Sequence, residues 1–496
     1  MSRLRTRTRA VVIGSGAGGS VTALELASRG IDVTMIEEGE RKSLSQYGGE
    51  STDAMRHLYR ARGMTPILGA VPIGYIEGRL LGGSTEINSG FWHRTPREVL
   101  INWSARYGLA DASPADLAPH FAWAEQHLGV GLAASWPEST KVFARGVDAM
   151  GWSAQEVPRA AKDCQNTNAC AQGCPRGAKQ GMSRSLLPLA EAAGVRVVPQ
   201  CRAKLLLKDG RRVTGVFAEV TRDDGTIELT RLDADYVFVC CGPTETPALL
   251  RRSGFRLHVG DTLRIHPALK VVARFDKEID AAQSVLPLLQ VKEFWPEITL
   301  GGAFFSPGHL AMQLSENWPE LHGRMKDHAR MATYYVAVKG TGRGSVRPSL
   351  WGDATTLRYA LSNEDVYNLS RGLARLAELL LAAGADEVYP GLHGVATIKK
   401  EVDAVRWLDE RLPKSALSLT TVHAFSSCPI GERRDLCAAD SYGKVFTADN
   451  LYINDASMLP SSPGVNPQGS VMAFARRNVL HFLDAAERDA LLGAAS

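Results

Sequence analysis

The stretch "AVVIGSGAGGSVTALELASRGIDVTMIEEGE", Ala10 to Glu40, limits what this chain can fold into more than any other. Ala10–Ile13 reads as a short buried strand, Ser20–Arg29 has helical periodicity, and Ile31–Ile36 reads as a second buried strand. Between strand and helix stand Gly14, Gly16 and Gly19, spaced G-x-G-x-x-G. Gly14 permits the tight turn, Gly16 lets backbone approach a pyrophosphate, and Gly19 lets helix and strand pack closely. The helix start offers unpaired N–H groups and a positive dipole end to phosphates. Glu37 closes the second strand, 23 residues after Gly14, where a carboxylate accepts hydrogen bonds from ribose hydroxyls and repels a 2′-phosphate. All five features in one register define a dinucleotide site in an α/β domain and disfavour NADP. They leave FAD against NAD open.

The chain has 496 residues, enough for two or three domains. Its net charge of +4 is scattered apart from "RLRTRTR", Arg3 to Arg9, which reads as a solvated leader. Nucleic acid is therefore not expected as a partner. No run of 18 apolar residues occurs, so no membrane span is expected. The first apolar stretch is too short and too glycine-rich for a signal-peptide core. Eight cysteines spread over so long a chain suit a reducing cytoplasm better than a disulfide scaffold.

The next motif, "GRLLGGSTEINSGFWHRTP" at 78–96, combines adjacent glycines, a hydroxyl residue and an asparagine four positions on. Such a loop can lie along an extended cofactor through its backbone. It closely resembles the first signature of the glucose–methanol–choline (GMC) oxidoreductases, FAD-dependent enzymes acting on alcohols. The resemblance implies FAD, with Gly83, Ser84 and Asn88 along the flavin and its pyrophosphate. Three further segments agree in chain order. "VRVVPQCRAKLLL" resembles the strand whose end sets backbone beside the adenine, around Ala203. "ADYVFVCCGPTETPALLRRSG" resembles the family's second signature, with its glycine turn at Gly242. "NLYINDASMLPSSPGVNPQGSVMAFARRN" resembles the closing segment, in which Asp455 bonds the ribityl chain and Asn466-Pro467 reaches the flavin ring.

The implied fold is α/β: a Rossmann-type FAD domain from residues 1–105, 185–270 and 415–496, and a substrate domain from 106–184 and 271–414. The region near 270–415 carries no readable motif and is expected to form the antiparallel sheet of the substrate domain. An amphipathic helix at 360–385, beginning after Ser362-Asn363, is expected to pack on it.

Oxidising an alcohol removes a hydroxyl proton and a hydride; flavin N5 takes the hydride and the protein must take the proton. Imidazole suits that task near neutral pH. Of twelve histidines, His423 in "TVHAFSSCPIGE" falls where the family carries its active-site histidine, and Asn466 falls on the partner position. On that resemblance His423 is the general base and Asn466 an orienting donor. Ser426-Ser427-Cys428 departs from the family's usual steps after the histidine, and His266 in "RIHPAL" reads as structural.

"CQNTNACAQGCPRGAKQ" sets Cys164, Cys170 and Cys174 among small polar residues, which fits a core segment poorly. Zinc would want a fourth ligand, and no histidine is close. Closely spaced thiolates with proline after the last suit an iron–sulfur cluster. Some bacterial sugar and polyol dehydrogenases of the family hold a three-iron cluster on similar cysteines, while its alcohol oxidases have comparable segments without one. Both readings stay open. The expected substrate is a small-molecule alcohol, a polar sugar, polyol or amino sugar, with a sterol or aliphatic alcohol or redox-silent lyase chemistry as alternatives. The electron acceptor is oxygen or a redox partner.

Overall fold

The computed structural model describes residues 4–349 and 352–494. Two sheets organise them. In the first, Arg196–Val198, Val33–Ile36, Leu4–Ile13 and Ile227–Val239 lie side by side in parallel. Leu451–Ile453 joins the carboxyl end of the 227–239 strand in parallel, while Arg212–Thr221 and then Cys201–Asp209 extend its other half antiparallel. Ala10 to Ile13 are at most 4% exposed. Both faces of the parallel strands are covered, which is why they read as unbroken apolar runs. The helix Ala17–Ser28 packs on Gln468–Ala494, which packs in turn on Pro114–Leu128.

The basic leader is corrected here. "RLRTRTR" is not a solvated extension: from Leu4 it is the start of the first strand, paired in register with Thr230 onward. Its alternation sets Thr8 inward and Arg7 and Arg9 outward, where both reach Asp235 at 3.5 and 3.2 Å.

The second sheet has eleven strands and is mostly antiparallel, as expected for the substrate side. Ala268–Phe275, Met331–Val338, Ile298–Gly302 and Leu289–Val291 form its middle. Asn363–Ala382 lies across it, capped by Ser362, whose hydroxyl accepts from the Asp365 N–H at 2.9 Å. The division of the chain differs from expectation in three places. Thr65–Leu68 and Ile73–Tyr75 pair into the second sheet, and so does Leu419–Thr421. Pro114–Leu128 instead buries Leu117, Phe121, Ala124 and Leu128 in the core of the first. The cause is long-range pairing, which sequence distance does not reveal.

Candidate active site

A cavity of about 460 Å³ runs from the carboxyl ends of the parallel strands to the face of the second sheet. At its first end the glycine turn divides its labour. Gly14 has φ +102°, and a Cβ there would stand 2.3 Å from the Cys240 carbonyl oxygen. At Gly19 a Cβ would meet the Gly14 oxygen at 1.9 Å, so this glycine is a packing contact and does not line the cavity. Gly16 is the opposite: nothing lies within 4 Å of its Cβ position, which opens on the cavity. Open space at the one glycine meant for a pyrophosphate, with its neighbours shut, fits the dinucleotide expected here.

Glu37 lines the same end and is 7% exposed. Its Oε2 accepts from the Ser15 amide at 3.0 Å and the Ser15 hydroxyl at 2.7 Å, and its Oε1 accepts from the Gly39 amide at 2.9 Å. Burial pushes its carboxyl above the usual range against those hydrogen bonds. Beside it, burial acts on Glu38 in the same sense, but Arg60, Arg79 and Arg202 at 2.5, 3.2 and 3.3 Å outweigh it and hold Glu38 low. Arg60 also pairs with Glu77 at 2.5 Å. No motif announced this ion network, since its members come from four separate segments.

The remaining cofactor-side residues converge on the cavity: Gly83, Ser84 and Asn88 from one loop, Ala203 from the adjoining strand, and Gly242, Asp455 and Pro467 from the later signatures. Asn88 donates to Gln468 Oε1 at 2.6 Å. The Asp455 carboxylate accepts from the Gly242 amide at 2.9 Å, the Thr246 hydroxyl at 2.5 Å and the Ser457 amide at 2.7 Å. It thus ties the second signature to the closing segment.

At the other end, His423 follows the Leu419–Thr421 strand and Asn466 precedes the last helix. Asn466 Nδ2 lies 3.2 Å from His423 Nε2, and His423 Nδ1 lies 3.0 Å from His266 Nδ1. His266 was read as structural; the structure places it against the expected base, with its Nε2 2.8 Å from Ser462 Oγ. Two residues that sequence reading missed fix the polarity of this chain. Lys292 Nζ, a donor when charged, reaches Gln290 Oε1 at 3.1 Å, so the Gln290 amide nitrogen faces Asn466 Oδ1 at 3.3 Å and the Tyr335 hydroxyl at 2.8 Å. Asn466 therefore turns its NH₂ to His423, which must present Nε2 as a bare acceptor and carry its proton on Nδ1. His266 Nδ1 accepts that proton's hydrogen bond and its Nε2–H points to Ser462. Burial lowers His423 to about 4, with the charge of Lys270 adding to it, so the ring is neutral at pH 7.

The three cysteines do not converge on a metal. The Arg159 guanidinium donates to Cys164 Sγ at 3.5 Å and Cys170 Sγ at 3.2 Å, and the Lys179 amide donates to Cys174 Sγ at 3.3 Å. Among the described residues no group of three or more His, Cys, Asp or Glu side chains is placed to hold a metal ion. The iron–sulfur reading of Cys164, Cys170 and Cys174 is therefore not supported: a guanidinium stands where two of the thiolates would need a cation. All eight cysteines are free thiols. The segment ties the site together in another way. Lys179 donates from Nζ to the carbonyl oxygens of Glu86, Asn88 and Cys170 at 2.5, 2.9 and 2.6 Å, fastening it to the 78–96 loop.

A glycine-turned parallel sheet, a large antiparallel sheet and an imidazole–amide pair between them define an oxidoreductase of the flavoprotein class. Residues 9–268 match the amino-terminal domain model of the GMC oxidoreductases and residues 341–475 the carboxyl-terminal one. The chain is 39% identical over 479 residues to an uncharacterized GMC-type oxidoreductase, y4nJ, of Sinorhizobium fredii, covering 96% of this chain and 94% of that one. It is 28% identical to the long-chain-alcohol oxidase FAO1 of Arabidopsis thaliana, over 94% of this chain and 65% of that one. The crystal structure of a pyridoxine 4-oxidase from Mesorbium loti superposes with a TM-score of 0.72 at 16% identity, covering 96% and 99% of the two chains, a likeness of fold. The chain belongs to the GMC oxidoreductase family, and is an FAD-dependent oxidoreductase acting on CH–OH groups. Among the described residues no helix is long and apolar enough to cross a membrane.

Proposed function

We propose that this chain oxidises the CH–OH group of a small polar molecule to a carbonyl, with His423 taking the hydroxyl proton at Nε2. Bound FAD would supply the hydride acceptor. Gly16, Gly83, Ser84, Asn88, Ala203, Gly242 and Asp455 would hold it, Glu37 would take a ribose hydroxyl on the one acceptor position its own contacts leave free, and Pro467 would lie at the ring. Asn466 orients the substrate oxygen through its NH₂. The observation that carries the reading is the fixed polarity of the Lys292–Gln290–Asn466–His423 chain, which presents an unprotonated Nε2 inside the cavity.

A polar substrate is supported by the wall facing His423, where Lys270, Gln290, Gln313, His309 and Tyr335 stand together. An aliphatic alcohol is the second reading, favoured by the likeness to a long-chain-alcohol oxidase. Free thiols at all eight cysteines support a reducing, cytoplasmic setting. The electron acceptor is oxygen or a redox partner. Anaerobic mixing with a panel of sugars, polyols and aliphatic alcohols tests the reaction. Bleaching of the flavin band is expected with the polar class. No bleaching by any sugar or polyol, with bleaching by an aliphatic alcohol, would overturn the polar reading in favour of the second. Denatured protein should release FAD and no stoichiometric iron.

A further inference from the structure

The far end of the cavity holds a charge without a counter-charge. Lys270 sits in the Ala268–Phe275 strand opposite Tyr335, its Nζ 5.2 Å from the centre of that ring, and among the described residues no carboxylate pairs with it. Five carboxylates line the cavity: Glu37, Glu38, Glu77, Glu245 and Asp455. All are committed at the dinucleotide end, to Ser15 and Gly39, to the arginines, to Thr244, or to the turn at Gly242. The wall around Lys270 instead supplies donors. Gln313 gives its carbonyl oxygen to the Thr333 hydroxyl at 2.8 Å, which leaves its NH₂ for the cavity. His309 engages Ser306 Oγ through Nδ1 at 2.8 Å and keeps its other nitrogen. An ammonium held out of bulk water without a partner is costly, and an anion that enters beside it removes that cost.

We infer that the substrate is an alcohol that also carries a carboxylate, which Lys270 binds while the hydroxyl is held at His423. This rests on the reading of His423 as proton acceptor. Lys270 lies two residues past Ala268, which pairs with Thr420 three residues before His423, and Lys270, His309 and His423 line one cavity, so a compact molecule can span the two contacts. One ammonium among neutral donors matches a single negative charge. A phosphate, with its charge near −2, would call for a second cation there, and the other lining lysine, Lys339, bears on His266 instead. A cationic amino sugar would meet Lys270 with no carboxylate beside it.

Burial lowers Lys270 to about 8. The titratable groups facing it do not ionise there: burial pushes Tyr335 up, and holds His423 and His309 near 4. Lys292 is also lowered to about 8, but it is bonded to Gln290 and does not line the cavity.

The test titrates the holoenzyme with 4-methylbenzoate, 4-methylbenzamide and 4-methylphenyl phosphate, followed by the shift of the flavin band. The corresponding hydroxymethyl compounds are then compared as reductants under anaerobic mixing. The carboxylate should bind roughly 10–100-fold more tightly than the amide. That preference should fade as pH rises through the Lys270 ionisation, persist in Lys270→Arg and disappear in Lys270→Met. Equal binding of carboxylate and amide, preference for the phosphate ester, or a preference intact in Lys270→Met overturns the inference. Should Lys270→Met fail to fold, the wild-type pH dependence and the arginine variant decide. Carboxylate preference with no flavin reduction by any alcohol supports the Lys270 site and overturns the proposed reaction instead.

Discussion

At the dinucleotide end of the cavity the lining carboxylates are locked by contacts within the protein: Glu37 by two backbone amides and a hydroxyl, Asp455 by two amides and a hydroxyl, Glu38 by three arginines, two of which line the cavity beside it. At the catalytic end, among the described residues, no carboxylate lines the cavity, and the titratable groups there include neutral imidazoles, Lys270 and Lys339. The first end is preorganised and rigid, suited to a cofactor that stays. The second presents donors and one unprotonated ring nitrogen, His423 Nε2, met only by the Asn466 amide, suited to a molecule that comes and goes.

The largest expected effect tests the bare acceptor. His423→Ala should retain FAD yet slow anaerobic flavin reduction by roughly 10²–10⁴-fold, the worth of a positioned base. In the wild type His423 ionises near 4 and is neutral above that. The reduction rate should stay level through neutral pH and fall as pH drops through about 4, a step absent from the alanine variant. Stability moves in the same direction. A ring whose ordinary value of 6.5 is lowered to about 4 binds fewer protons than the unfolded chain between those values. His309 and His93, lowered by burial to about 4 and about 3, add to this. Stability contributed above pH 6.5 is therefore lost as pH falls toward 4. Rapid mixing and melting across pH 3.5 to 8 check both; an unchanged reduction rate in His423→Ala would remove the residue from the chemistry.

Next comes a pair of glycines at the other end. Gly19→Ala puts a Cβ 1.9 Å from the Gly14 oxygen, a backbone atom that cannot move aside, and should destabilise the fold by about 1–3 kcal/mol. Gly16 has φ −65° and an empty Cβ site, so Gly16→Ala should leave folding alone and weaken FAD retention. Melting and FAD content, measured on both variants, separate packing from binding. Equal FAD loss at unchanged stability would erase the distinction between them.

That same contrast governs what could be read in advance. Gly14, Gly16, Glu37, Gly83, Ser84 and Asn88 come from two contiguous runs whose internal spacing is the signal, so their place along the cavity was legible. His423 and Asn466 were found only through resemblance, since nothing local marks either. Lys270, the Gln290–Lys292 pair and His309 come from three separate segments and meet only when the second sheet folds. A lysine within "ALKVVARF" looks like the polar position of any half-buried strand. The sequence reads His266 as structural, and its buried contact to His423, 157 residues away, is not visible there for the same reason. "RLRTRTR" reads as solvated because alternating arginine and threonine marks a strand only through its distant pairing partner, against which Thr8 is buried between the exposed Arg7 and Arg9. The cysteines failed differently. Their spacing was legible, but not the Arg159 guanidinium lying against two of them.

Asn466→Ala removes the amide that orients substrate and caps His423, and should cost about 1–3 kcal/mol in the reduction step. That is less than the loss of the base itself. Equal losses in the two variants would mean that His423 acts only through Asn466.

The smallest effect is expected two bonds further out, at Lys292, which touches neither substrate nor cofactor and acts as a positioning residue. Its ammonium can only donate, and that alone decides which way the Gln290 amide points. With Lys292→Met the Gln290 and Asn466 amides can both turn over, and His423 can move its proton to Nε2, where it no longer accepts. The cost should be about 0.5–1.5 kcal/mol, the net worth of a hydrogen bond, carried in the reduction rate and not in substrate binding. Lys292→Arg keeps a donor and should restore most of it. Histidine ring nitrogen shifts give a direct readout: His423 should show Nδ1–H in the wild type and a mixture of tautomers in Lys292→Met. In the wild type the lock should weaken as pH rises through about 8, where Lys292 loses its charge. If the ring stays wholly Nδ1–H in Lys292→Met, the polarity is set from the His266–Ser462 side instead, and the catalytic end holds its base without help from the sheet.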